Sequence, residues 1–218
     1  MEKELVLFSG GPDSALLLQY FLEQKKNIHV VYNECNYNLH KKNNTYIQTQ
    51  VVTKCLHFFR KKYGHFDFTQ TGIYLGIPNS VNKFGTDDQW NVFMASLICR
   101  EFNISKIWYA SFTYNQHNRK VFNIQEPVWL SQEQMNPWIN ASGLDPHDIK
   151  FLTPINFYKG KEIDSIKTKK EAWDYLDKEL QQIVRSCVSE ENINFCGKCH
   201  KCISLIHFKI KDKDGNNI

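Results

Sequence analysis

The sequence predicts an α/β protein: a parallel sheet with helices on both faces, followed by a small cysteine-rich segment. Three observations predict it. Short apolar runs alternate with stretches of helical periodicity. The first apolar run stops at a glycine pair that opens a helix. Four of the seven cysteines crowd toward the carboxyl end.

Taken in order, Leu5 to Phe8 is a short apolar run of the kind that makes a buried parallel strand. Ser14 to Gln24 follows, with Ala15, Leu16, Leu18, Phe21 and Leu22 at helical spacing. Ile28 to Tyr32 is a second strand, bounded by Asn27 and Asn33. Thr45 to Tyr63 reads as a long amphipathic helix with Val51, Val52, Cys55, Leu56 and Phe59 on one face, and Gly64 stops it. His65 to Asp88 reads as a looser stretch, then a helix runs from about Gln89 to Phe102 and a strand from Lys106 to Ala110. Residues 111 to 150 contain Pro127, Pro137 and Pro146 and read as an irregular insert or short helices. Lys161 to Lys170 and Glu171 to Val184 read as helical. The chain therefore divides into an α/β domain over 1–185 and a small cysteine-rich segment over 186–218. Strands alternating with helices imply a parallel sheet, and in such sheets ligands sit outside the carboxyl ends of the strands. The glycine pair after the first strand lies at that edge.

Composition excludes several classes. No apolar run approaches the ~18 residues a membrane-spanning helix needs. The charged start Met1-Glu2-Lys3-Glu4 does not resemble a signal peptide, so the protein is expected in the cytoplasm. The net charge of +4 is spread over small groups such as Lys41-Lys42, Arg60-Lys61-Lys62 and Lys167 to Lys170. Such scatter reads as solvated helix faces and argues against stable nucleic-acid binding. A polyanionic small molecule suits this balance.

The loop Ser9-Gly10-Gly11-Pro12-Asp13-Ser14 carries the chemistry. Two glycines let the backbone take positive φ and approach a ligand closely. Successive N–H groups then form an anion nest, to which the following helix adds its N-terminal N–H groups and dipole. Ser9 and Ser14 supply hydroxyls, and Pro12 stiffens the turn where its missing N–H costs little. Asp13 suits phosphates only with a cation between them, and Mg²⁺ is the natural one. The same residues also make an ordinary strand-to-helix turn in which Asp13 or Ser14 caps the helix. The loop has neither the Lys of a P-loop nor the GxGxxG of a dinucleotide fold.

Cys187, Cys196, Cys199 and Cys202 form C-x8-C-x2-C-x2-C. A C-x2-C step places two sulfurs on one metal, and four thiolates close a structural Zn²⁺ site. Gly197 permits the turn, and Lys198, His200 and Lys201 offset the charge. An iron–sulfur cluster also takes four cysteines, and His200 is a possible substitute ligand. A cytoplasmic setting argues against disulfides. Cys55 and Cys99 read as core residues, and Cys35 follows the second strand where it could line the site.

The loop resembles the SGGxDS signature of the PP-loop ATP pyrophosphatases. That resemblance implies an adenine nucleotide alpha-hydrolase-like fold, Mg²⁺-ATP as substrate and cleavage between the α and β phosphates. Ser9, Gly10, Gly11, Asp13 and Ser14 match the signature, with Pro12 at its variable position. Loop and four-cysteine tail together resemble the 7-cyano-7-deazaguanine synthase (QueC) family. The firm motifs cover the two ends of the chain. The family implies adenylation of the carboxylate of 7-carboxy-7-deazaguanine, displacement of AMP by ammonia, and a second activation that yields the nitrile of queuosine biosynthesis. It also implies a homodimer. Tyr158-Lys159-Gly160-Lys161-Glu162-Ile163 resembles the family's lysine-bearing loop, which makes Lys159 or Lys161 the phosphate contact. The family opens its middle helix with Arg-Asn; here the pair is Trp90-Asn91, so Asn91 matches and the Arg does not. Arg119 is a candidate replacement for it, and Trp90 a candidate to stack on a purine-like ring. The family's Tyr-Pro-Asp-Cys-like segment has no counterpart between Ser111 and Asp148. These departures leave two alternatives: a related ligase with another acceptor, such as another carboxylate or a protein amine, or a PP-loop enzyme acting on tRNA.

Overall fold

The computed structural model describes residues 2–36, 42–74, 87–110, 132–152, 173–185, 196–198, 202, 205–206, 210 and 216. Five strands form one sheet: β1 (Glu4–Leu7), β2 (Ile28–Asn36), β3 (Asp67–Tyr74), β4 (Lys106–Tyr109) and β5 (Lys150–Leu152). Between and after them lie α1 (Pro12–Glu23), α2 (Lys42–Tyr63), α3 (Asp87–Phe102), α4 (Gln132–Ala141) and α5 (Lys178–Ile183). The strand order is β3-β2-β1-β4-β5 and every pairing is parallel. This is the expected α/β class. The order reverses between β1 and β4, which makes their carboxyl ends the topological switch point.

The strands are covered on both faces, and the two-residue period of β1 shows it. Val6 and Phe8 join α1, α2 and α5 in one core, with Leu17, Phe21, Val52, Phe59 and Leu180. Leu5 and Leu7 join α3 and α4 in the other, with Val92, Cys99, Met135 and Ile139. A strand apolar at every position is what burial on both faces requires. Helix α2 turns Val51, Val52, Cys55, Leu56 and Phe59 inward and ends at Gly64, whose φ is +91°. Cys55 and Cys99 are buried, as expected, and desolvation pushes both thiols up to about 12.

Three elements differ from the sequence reading. The stretch after Gly64 contains β3, an edge strand. Phe68 is followed there by the polar Thr69, Gln70 and Thr71, and an edge strand half exposed to water has no continuous apolar run to announce it. Strand β5 is only three residues long. The expected helix over 171–184 is interrupted: residues 173–175 are helical, the chain breaks at Leu176 and Asp177, and α5 begins. Asp177 caps α5 by accepting the Glu179 N–H at 2.8 Å. Within the expected insert, α4 forms with Pro137 inside it. The segment Lys161 to Lys170 lies outside the described residues. Among the described residues no helix is long and apolar enough to cross a membrane.

At the amino end of the sheet His29 is buried. Its Nε2 lies 2.8 Å from Thr69 Oγ1, and its ring lies 4.6 Å from that of Phe102. Burial lowers its pKa, and Asp67 opposes that only in part.

Candidate active site

Strand β1 delivers the loop directly to the switch point. Pairing continues to Phe8, whose N–H donates to the Val31 carbonyl at 2.8 Å, and the chain then turns. Gly10 takes φ +71°, a region closed to most side chains. A Cβ there would also meet Val52 Cγ2 at 3.1 Å and Val51 Cγ1 at 3.2 Å. Gly11 is extended and forms the N-cap of α1, with Pro12 as the first helical residue.

No side chain caps this helix. Ser14, the candidate cap, instead donates its hydroxyl to the Gly11 carbonyl at 3.2 Å and accepts the Ser9 N–H at 3.2 Å. Asp13 stands in the first turn. The first-turn N–H groups have no carbonyl partner within the helix, and the α1 dipole adds positive potential at the same point. Ser9 and Ser14 bring their hydroxyl oxygens to 3.1 Å of each other, and the Gly11 N–H reaches Ser9 Oγ at 3.4 Å. Two hydroxyls, a backbone N–H and an open helix end therefore face one small volume, which suits a phosphate.

Two carbonyls of the loop are held from outside. The Gln48 side-chain amide of α2 donates to the Ser9 carbonyl. The Arg185 N–H donates to the Gly10 carbonyl at 3.1 Å. A trans peptide points its N–H opposite to its carbonyl. Pinning these two oxygens outward thus aims the N–H groups of Gly10 and Gly11 the other way.

A cleft of about 90 Å³ opens beside the loop, lined by residues from the carboxyl ends of β1, β2 and β4 and from α3. Ser9, Ser14 and Asn91 all line it, so residues far apart in sequence share one cleft. Asn91 also accepts, through its carbonyl, the side-chain amide of Asn33 at 3.1 Å. Asn33, Tyr32 and Tyr109 line the cleft too and were not among the sequence candidates. Their available signal was position: each stands at the carboxyl end of an apolar strand, where α/β ligands bind. Gln48 and Arg185 had no such signal.

Trp90 is engaged elsewhere. Its ring packs against Trp138 of α4 at 5.4 Å and edge-on to Phe93 at 6.2 Å. It is a helix-packing residue. Lys159, Lys161 and Arg119 lie outside the described residues, as does the side chain of Cys35.

Of the four tail cysteines, Cys196 and Cys202 are described and Cys187 and Cys199 are not. Cys202 is buried, and its Sγ lies 3.9 Å from that of Cys196. Two thiolates on one tetrahedral zinc, with Zn–S near 2.3 Å, stand about 3.8 Å apart. The pair therefore fits a shared mononuclear metal. In a [4Fe–4S] cluster each thiolate takes a different iron, which holds the sulfurs farther apart. Among the described residues no three potential ligands converge.

No protein-family profile and no curated protein sequence matches the chain. Among solved structures it is similar to a predicted subunit of tRNA methyltransferase from Methanocaldococcus jannaschii, at 15% identity and TM-score 0.38, covering 74% of this chain and 72% of that one. It is similar to the U34-tRNA thiolase NcsA from Methanococcus maripaludis with its [4Fe-4S] cluster, at 14% identity and TM-score 0.40, covering 81% of this chain and 59% of that one. It is also similar to NMN synthetase from Francisella tularensis, at 11% identity and TM-score 0.35, covering 95% and 86%. At these values the likeness is distant, and the α/β class of this chain is established by its own strand order.

Proposed function

We propose that the chain is an ATP-splitting, adenylate-forming ligase of the PP-loop kind that activates a carboxylate, with 7-carboxy-7-deazaguanine as the acceptor and 7-cyano-7-deazaguanine as the product. One observation carries the ATP half. The signature loop sits at the switch point with its helix end uncapped and its serine hydroxyls converging on one cleft.

In this reading the N–H groups of Gly11, Asp13 and Ser14 and the hydroxyls of Ser9 and Ser14 hold the β and γ phosphates. They lie where negative charge grows as the α–β bond opens, so they stabilise departing pyrophosphate more than bound ATP. Asp13 would hold Mg²⁺ at the loop, where the ion would neutralise part of that charge. Lys159 or Lys161 supplies a further phosphate contact. The substrate carboxylate oxygen attacks the α phosphorus and pyrophosphate leaves. Ammonia then adds to the acyl carbon, and AMP departs with the carboxylate oxygen. A second ATP activates the amide oxygen, and loss of a proton with AMP gives the nitrile. Asn91 and Asn33, joined by their hydrogen bond, offer polar groups for the nucleotide or the acceptor. The tail cysteines hold a structural zinc. The reading includes a homodimer in the cytoplasm.

One observation favours a second reading, in which the same adenylation serves a different acceptor. Trp90, which stands in place of the family's Arg, packs with Trp138 and Phe93 and brings no cation to the start of α3.

Incubation with Mg-ATP, 7-carboxy-7-deazaguanine and ammonium, followed by mass spectrometry, tests both. Nitrile with AMP is the expected result. AMP without nitrile, on this or another carboxylate, moves the assignment to the second reading. No AMP from any carboxylate overturns both.

A further inference from the structure

The carbonyl of Gly10 is held by a segment remote in sequence. The Arg185 N–H donates to it at 3.1 Å, and a Cβ on Gly11 would lie 3.7 Å from the Arg185 carbonyl oxygen. The end of the 173–185 segment therefore runs beside the loop. That segment is anchored on one side to the nucleotide domain. Leu176 and Leu180 are in the α1–α2 core, the Gln19 side chain bonds both the Tyr175 carbonyl and the Asp177 N–H, and Asp177 pairs with Lys62 at 2.6 Å.

On its other side the same segment carries the cysteine tail. Trp173 forms a buried cluster with Leu205 and Ile210, and Val184 packs against that cluster. Val184 immediately precedes Arg185. Leu205 follows Cys202 by three residues, and Cys202 is itself fully buried beside Cys196. The Trp173–Leu205–Ile210 cluster, built in part from the tail that bears the cysteines, thus packs against Val184, the neighbour of the residue that makes the Arg185–Gly10 hydrogen bond. That bond sets the plane of the peptide between Gly10 and Gly11, and so the direction of the Gly11 N–H.

We propose that Val184 and Arg185 form a positioning element for the loop, set by the cysteine tail, so that metal binding by the cysteines and triphosphate binding by the loop are coupled. This rests on the reading of Ser9 to Ser14 as a phosphate loop. Coupled equilibria are reciprocal: if zinc strengthens nucleotide binding by some factor, nucleotide strengthens zinc binding by the same factor.

The test uses the full chain, Mg²⁺ with a non-hydrolysable ATP analogue, and zinc. Calorimetry compares analogue affinity in zinc-loaded and chelator-treated protein, and a competing chromophoric chelator reads zinc affinity with and without the analogue. Loss of one buried hydrogen bond predicts analogue binding weaker by about ten-fold without zinc, and zinc affinity raised about ten-fold by the analogue. Equal zinc affinity with and without analogue overturns the coupling. No analogue binding by the zinc-loaded protein overturns the phosphate-loop reading and the coupling with it. If zinc removal unfolds the chain by circular dichroism, zinc-loaded variants decide. Leu205→Ala is expected to weaken the analogue by a similar factor. Val184 is already extended, as the residue before a proline should be, so Arg185→Pro removes the N–H while Arg185→Ala keeps it. Arg185→Pro is expected to bind about ten-fold more weakly than Arg185→Ala. Equal binding by these two overturns the positioning role.

Discussion

Replacing Gly10 with alanine puts a methyl group where the fold has no room for one. At φ +71° a residue with a Cβ costs about 1–2 kcal/mol. The new methyl would lie 3.1 Å from Val52 Cγ2, 3.2 Å from Val51 Cγ1 and 3.4 Å from the Val52 nitrogen. The first two neighbours are β-branched side chains fixed in the α2 core and the third is backbone, so relief requires moving the helix or the loop. Overpacking of this kind costs about 1–3 kcal/mol. The sum, roughly 2–5 kcal/mol, lowers the melting temperature on the order of 10 °C for a chain of this size. Gly11→Ala is the matched control. Its φ is −80°, and its nearest neighbours would be Ser9 Oγ at 3.4 Å and the Arg185 oxygen at 3.7 Å, which is ordinary contact. It is expected to melt within about 2–3 °C of wild type. Thermal denaturation by circular dichroism reads both. A Gly10→Ala variant that melts within about 2 °C of wild type refutes the packing argument.

Asp13→Ala should abolish AMP release in the adenylation assay while leaving the far-ultraviolet circular dichroism unchanged, since Asp13 is partly exposed in the first turn of α1. His29 has its pKa lowered by burial, so between its folded value and about 6.5 the unfolded chain binds more protons. Its contribution to stability is therefore present above about pH 6.5 and declines as pH falls below it, and urea titrations of His29→Gln should show a flatter pH dependence there. Asp177 caps α5 and pairs with Lys62, which holds its carboxyl below the usual range, so its contribution is lost as pH falls through that lowered value. Asp177→Ala should cost about 1–2 kcal/mol by urea denaturation, whereas Asp177→Asn, which keeps a capping oxygen, should cost less. Cys55 and Cys99, whose thiols burial pushes up to about 12, should react with a thiol reagent at pH 8 only after denaturant is added.

What could be read from the sequence was local. The run Leu5 to Phe8, the glycine pair and the helical spacing after Ser14 are contiguous, and each step constrains the next. The resulting β1, loop and α1 stand as expected, with the loop at the sheet's carboxyl edge. The two C-x2-C steps are equally local in sequence, and both run through Cys199, which lies outside the described residues. Strand β3 was not legible because an edge strand exposes one side and carries Thr and Gln where a central strand carries Val. The break before α5 did leave a trace. Asp177 three residues before Leu180, with Glu179 in the first turn, is a capping pattern, but it lies in a stretch whose apolar spacing also suits a continuous helix.

The sequence by itself determined the chemistry of the loop: two glycines, two hydroxyls, a carboxylate and a helix start in six residues. Only the tertiary structure decided what surrounds it. Parallel pairing places β1 between β2 and β4, and so brings Asn33, Asn91 and Tyr109 to one cleft with Ser9 and Ser14. The direction of the loop N–H groups depends on hydrogen bonds to the Ser9 and Gly10 carbonyls from Gln48 and Arg185. Those donors lie far along the chain, and no spacing rule connects them to the loop. Their contact exists because α2 and the 173–185 segment pack on the same face of the sheet as α1.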